Sequence, residues 1–190
     1  MRICYAGKQR AGKDTAAEFL IKTYGGTIYK FADPLYEMQE AIYNIAGLPY
    51  TSKTKDRTLL QFLGTDWGRK TIDPDIWINV MDKRLTNQSS IHDTTKEYSI
   101  FNDYNEDNIF VTDARFPNEI ELLKRHGFKI YRVDATEENR ISRGATNLTH
   151  ASETALDNYT DYDYVIENNE KIEKFYGKVE IIYNGLLTNA

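Results

Sequence analysis

The stretch that decides the fold is "RICYAGKQRAGKDTAAEFL", Arg2 to Leu20. A short apolar run leads into Gly7, and the loop that follows carries Arg10, Gly12 and Lys13 before a helical pattern sets in. Gly7, Gly12 and Lys13 match G-x-x-x-x-G-K, the spacing of a loop that wraps backbone N–H groups around phosphate. The pattern then asks for Ser or Thr, but this chain has Asp14, and the hydroxyl arrives one place late as Thr15. A strand before and a helix after are the context such a loop needs. Its N–H groups face inward, and the helix N-terminus adds partial positive charge. Lys13 is then placed to reach the terminal phosphates of a nucleoside triphosphate, and Thr15 to contact a phosphate from the first helical turn.

Asp14 stands where a hydroxyl normally serves Mg²⁺. A carboxylate is also a hard oxygen ligand, so Asp14 is a candidate for the metal. The competing reading is that it only favours the helix N-terminus electrostatically.

Working outward, strands alternate with helices along most of the chain. After the helix from Asp14 to Tyr24, "GG" at Gly25 and Gly26 is the stop. "TIYKFA" reads as a strand and "DPLYEMQEAIYNIAG" as a helix, with Asp33 as its cap, Pro34 in its first turn and Gly47 at its end. "TLLQFLGTDWGRK" begins as a helix and is expected to break near Gly64, and "DPDIWINVMDKRL" opens another. Residues 86–108 are polar and poorly periodic, which predicts a surface excursion with a small hairpin. "NIFVTDARF", "FKIYRVDA" and "YDYVIENN" are strand-like, "PNEIELLKRHG" and "EKIEKFYGKVEIIYNGLL" helical. Residues 136–153 read as a polar, mobile lid segment. The alternation predicts one α/β domain over 1–190, a three-layer sandwich around a mainly parallel sheet. In such sheets ligands sit at the carboxyl ends of the strands, which puts the glycine loop, "VTDARF" and the segment after "YRVDA" on one edge.

That edge collects further candidates. Asp113 ends an apolar strand, the place of a magnesium partner in loop-type phosphotransferases. Arg115 beside it suits an anionic acceptor, since guanidinium pairs bidentately with phosphate. "LGTDWGRK" supplies Asp66, Trp67, Arg69 and Lys70, with the arginine for a phosphate and the ring either for a base or for the core. Asp33 is a further acceptor-side candidate. Arg140 and Arg143, three apart, would share a helix face and could close over the transferring group.

Composition narrows the partners. The net charge of −5 and 28% charged residues give no global signal for nucleic acid or an anionic membrane. No apolar run approaches the roughly 20 residues of a membrane span, and the N-terminus lacks a signal-peptide pattern. Cys4 is the single cysteine, so it reads as a buried thiol in a reducing compartment. His92, His126 and His150 lie far apart, without metal-type spacing. A cytoplasmic protein acting on small molecules is expected.

Taken together, "GKQRAGKDT", "LLQFLGTDWGRKTIDPDIWINVM", "VTDARFPNEIELLKRHG", "THASE" and "DYDYVIENN" resemble phage-type deoxynucleoside monophosphate kinases over nearly the whole chain. The resemblance implies a P-loop kinase fold with a five-stranded sheet, helices on both faces and a small lid. It also implies ATP and Mg²⁺, a deoxynucleoside 5′-monophosphate as acceptor, and host cytoplasm as location. A homodimer is compatible with it. By motif, Gly7 to Thr15 would hold the donor phosphates, with Asp14 and Asp113 near the metal. Arg69 and Arg115 would lie on the acceptor side, and Arg140 and Arg143 in the lid. Asn168, in "VIENN", resembles a position near the adenine of ATP, against an ordinary asparagine turn. Two rivals stay open. The "GKD" loop and the "LDNYTDYDYVIEN" tail resemble phosphomevalonate kinase, and more loosely dephospho-coenzyme A kinase. A nucleotide-binding regulatory module is the alternative of another class.

Overall fold

The apolar run before the glycine loop forms β1 (Arg2–Ala6) in a computed structural model that describes residues 1–51, 53–88, 108–146, 148–149 and 151–188. There follow α1 (Lys13–Tyr24), β2 (Thr27–Tyr29), α2 (Asp33–Ile45), α3 (Arg57–Gln61), a π-helical segment (Phe62–Ile72) and α4 (Ile76–Gln88). Then come β3 (Ile109–Val111), α5 (Pro117–Arg125), β4 (Lys129–Asp134), α6 (Glu137–Ser142), α7 (Ala151–Thr154), β5 (Tyr164–Glu167) and α8 (Ile172–Leu187).

The five strands make one sheet in the order β2-β3-β1-β4-β5, and every ladder is parallel. Strand β1 is central, which is why Ile3, Cys4, Tyr5 and Ala6 form a continuous run with no more than 1% exposure. Parallel connections are right-handed, so the step from β1 to β2 and the opposite step from β3 to β4 put α1 and α5 on opposite faces. Helix α8 packs on α1, with Phe19 stacked on Tyr176 at 4.4 Å and Tyr24 on Tyr183 at 4.5 Å. Its Phe175, Val179 and Tyr183, four apart, turn one buried face to the core. The loop after β1 leaves the sheet where the chain turns one way to β3 and the other to β4, the switch point at which such sheets bind ligands.

The chain divides into two compact units, Met1–Tyr29 with Lys96–Ala190, and Lys30–Thr95. The first holds the whole sheet. The second holds α2, α3, the π-helical segment and α4. In it Gln39 is fully buried and satisfied, donating to Thr54 O at 3.1 Å and accepting from Asp56 N at 3.2 Å. Asp56 in turn caps α3 through Leu59 N at 3.0 Å.

Several expectations need correction. The helix through "LGTDWGRK" does not break at Gly64. It continues to Ile72 as a π-helix, closed by five-residue steps such as Asp73 N to Gly68 O at 2.9 Å. Asp33 is the first residue of α2, whose cap is Ala32, and its carboxylate reaches back to Lys30 N at 2.8 Å. The polar excursion begins later than residue 86, because α4 runs to Gln88; residues 89–107 lie outside the described residues. By contrast, the helix face expected for Arg140 and Arg143 within 136–153 is compatible with the structure, where α6 is capped by Thr136 through Asn139 N. No helix among the described residues is long and apolar enough to cross a membrane.

Candidate active site

The glycine loop is fixed by backbone geometry that side chains do not tolerate. Gly7 has φ +133, and a Cβ there would lie 2.4 Å from Val133 O, so β1 can leave the sheet beside β4 only with glycine. Gly12 has φ +117, and its Cβ would lie 2.4 Å from Asn168 Nδ2. Between them Arg10 also takes a left-handed φ of 61. Helix α1 starts directly at Lys13, leaving its first N–H groups at the loop's concave side.

Lys13 is only 6% exposed. Its ammonium curls over the loop and donates to Lys8 O at 2.8 Å. Burial brings its pKa from the ordinary 10.5 down to about 8; nearby Arg115 pushes the same way, against Asp14, Glu153 and Asp113. A cation kept in so dry a place interacts strongly with an incoming anion. Asp14, in the first turn of α1, accepts the hydroxyl of Thr112 at 2.6 Å. The donor is the residue directly after β3, next to Asp113. Burial also pushes the Cys4 thiol up, as expected of an inert core cysteine.

Arg115 is held by two carboxylates that were not among the candidate residues. Glu119, buried in the first turn of α5, accepts Arg115 N at 2.7 Å and Phe116 N at 3.2 Å, which fixes the turn after β3. Glu153 pairs with the guanidinium itself. The "PNE" opening of α5 carried the signal of a glutamate at the third helical position. Glu153 closes the "THASE" stretch, but no spacing in it points to Arg115 as its partner.

The two arginines expected in a lid part company. Arg143 donates to Asn168 O at 2.9 Å and to Arg10 O at 3.5 Å, tying the end of α6 to the loop. Arg140 is 4% exposed, and its Nη1 is buried without a hydrogen-bond partner. It lines a cavity of about 350 Å³ with Lys8, Ala11, Arg132, Asp134 and Asn169. Asn168 is buried, and its amide donates to Ala11 O at 2.7 Å, so it braces the glycine loop from behind. The neighbour that lines the cavity is Asn169.

The helical unit holds the other candidates. Lys70 pairs with Asp66 at 2.7 Å, one helical turn apart and well exposed. The buried tryptophan is Trp77, whose indole donates to Gly64 O at 2.8 Å and packs against Gly68. Trp67 and Arg69 are half-buried on the π-helical segment, a conformation that concentrates at functional sites. Burial holds the carboxyl of Asp33 above its ordinary value, opposed by Lys30 N and Arg84, the latter at 3.5 Å. His92 and His150 lie outside the described residues, and among those described no group of three metal-ligating side chains forms.

Residues 50–179 match the family model described as deoxynucleotide monophosphate kinase. A protein of Acanthamoeba polyphaga mimivirus named "Putative deoxynucleotide monophosphate kinase" is 28% identical over 186 residues, covering 91% of each chain. Among solved structures, a shikimate kinase from Aquifex aeolicus vf5 superposes with TM-score 0.54 at 13% identity over the whole of both chains. A gluconokinase from Sinorhizobium meliloti 1021 gives 0.51 at 12%, covering 100% of this chain and 97% of that one. At such identities the likeness speaks for the fold, an α/β P-loop kinase fold with its five-stranded parallel sheet. With the family model spanning well over half of its length, the chain belongs to the deoxynucleotide monophosphate kinase family and is a phosphotransferase.

Proposed function

We propose that the chain transfers the terminal phosphoryl group of ATP to deoxynucleoside 5′-monophosphates. The observation that carries this reading is the buried ammonium of Lys13 over a left-handed glycine loop, with Asp14, Thr112 and Arg115 at the neighbouring strand end.

Phosphoryl transfer asks a protein for position and charge neutralisation more than for covalent chemistry. Lys13 and the loop N–H groups hold the donor's phosphates. The cavity beside Arg140 takes the donor's base, where the unpartnered Nη1 finds an acceptor. Arg143 keeps the end of α6 on the loop. Arg115 meets the terminal phosphoryl group of the donor as well as the acceptor's phosphate. Arg69, Lys70, Asp66, Trp67 and Asp33 are the acceptor-side candidates of the helical unit. No side chain has to act as a strong base, because a phosphate monoester oxygen is already nucleophilic at neutral pH.

Magnesium fits these residues as an ion carried in with the nucleotide. Asp14 and Asp113 offer hard oxygens that would hold the ion, alongside phosphate and water ligands brought with the nucleotide. Bound there, the ion supplies neutralisation of phosphate charge.

A coupled ADP-release assay tests the reading across deoxynucleoside monophosphates, ribonucleoside monophosphates, phosphomevalonate and dephospho-coenzyme A. Turnover with the deoxynucleotides is expected. Turnover with phosphomevalonate or dephospho-coenzyme A alone rejects the acceptor, and Mg·ATP binding without acceptor-stimulated ADP release rejects the transfer.

A further inference from the structure

Glu153 takes no part in the mechanism above. It lies on α7, is only 8% exposed, and its carboxylate is fully engaged. One oxygen accepts the N–H of Gln9, inside the glycine loop, at 2.6 Å. The other pairs with Nη1 of Arg115. The same negative charge reaches Lys13. A loop N–H, a guanidinium and a nearby ammonium are the donors that a phosphoryl group recruits. Here an internal carboxylate has recruited them. The chain around Glu153 is tied to the same loop, for Gln9 Oε1 accepts Thr146 N at 2.9 Å and Lys8 pairs with Asp157 at 2.8 Å.

We propose that Glu153 is a stand-in anion: it holds Arg115 and the Gln9 N–H in the ligand-free protein and yields both to a phosphoryl group of the bound ligand. The proposal rests on the reading of the glycine loop as a polyphosphate seat. The argument is one of competition. Two anions on one set of donors repel, so a Glu153 that stayed seated would oppose the ligand. A buried carboxylate stripped of partners is costly, so it stays seated until the ligand arrives. Glu153 therefore acts as a positioning residue. It keeps Arg115 folded against the loop while the site is empty and releases it when phosphate enters.

The test is calorimetry of the full chain with inorganic tripolyphosphate. Glu153→Gln keeps an acceptor for the Gln9 N–H and removes the charge, and it should tighten binding roughly tenfold. In an Arg115→Ala background the same substitution should gain much less, because the contested guanidinium is gone. Equal or weaker binding in Glu153→Gln overturns the proposal. So does a gain of the same size with and without Arg115, which is what simple removal of a nearby charge gives. No heat from the wild-type chain or from Glu153→Gln sinks the polyphosphate seat, and the proposal with it. Should Glu153→Gln lose its folded circular dichroism, the wild-type chain decides. Its Gln9 amide resonance must move on saturation with tripolyphosphate, and an unmoved resonance shows Glu153 still seated.

Discussion

The sheet unit and the helical unit keep their charged candidates in opposite ways. In the sheet unit Lys13 and Arg140 are 6% and 4% exposed, and Arg140 leaves a guanidinium nitrogen unpartnered. In the helical unit the side chains of Lys70 and Asp66 are 68% and 50% exposed and satisfy each other. A buried cation is expensive, and folding alone gives no reason to retain it. An exposed pair one turn apart is worth only a few tenths of a kcal/mol, so little is lost with it. The difference teaches where to look for binding energy: in the sheet unit it is stored in desolvated charge, whereas in the helical unit it must come from groups such as Arg69 that are only half-buried.

The largest effect should follow from removing the stored charge. Lys13→Met is expected to lower turnover by roughly 10³-fold, the scale of losing a preorganised charge at developing negative charge. Its melting temperature should stay level or rise, since an apolar chain of similar length replaces an ion held against desolvation. Steady-state kinetics and thermal unfolding check both halves. Near-normal turnover breaks the contrast between the units at its strongest point.

A smaller and more selective loss is expected on the other side. Arg69→Ala should raise the KM for the monophosphate about tenfold to a hundredfold, the worth of one or two charge-assisted hydrogen bonds. Calorimetric affinity for Mg·ATP should not change. Lys70→Ala, at the exposed pair, should stay within about twofold on both measures. If Lys70→Ala proves as damaging as Arg69→Ala, exposure is the wrong guide to function in the helical unit.

These contrasts mark what was legible in the sequence. The loop, the order of strands and helices, and the strand end carrying Asp113 and Arg115 could be read because parallel α/β units advertise themselves. Apolar runs end in glycine or aspartate, and helices have periodic faces, as Phe175, Val179 and Tyr183 do. The π-helical segment was not legible, because its five-residue step leaves no periodic signature and Gly64 imitates a stop. Asp33 has the chemistry of a helix cap, yet its carboxylate turns back to Lys30. The supporting carboxylates were the larger omission. Glu153 meets Gln9 across 144 positions of chain, and Thr112 meets Asp14 across 98. Pairings that distant belong to the sheet topology, and no local pattern encodes them.

The last prediction is a pH dependence whose sign can be worked out from Lys13. In the ligand-free protein its proton leaves as pH rises through about 8, because burial disfavours the ammonium. A bound polyphosphate favours the ammonium and keeps the proton. Binding above pH 8 must therefore take up a proton, and affinity for Mg·ATP should fall with a limiting slope of about tenfold per pH unit. Below pH 7 this residue contributes no slope. Stability runs the other way. The unfolded chain keeps the proton up to the ordinary 10.5, so between about 8 and 10.5 it binds more protons than the native chain. Over that window Lys13 makes the empty protein more stable as pH rises. Calorimetry from pH 7 to 9.5 in two buffers of different ionisation enthalpy counts the proton, and Lys13→Met should abolish the uptake. Proton uptake near zero at every pH would show that the ammonium is already fully charged in the empty site, which removes the buried-cation half of the contrast between the units.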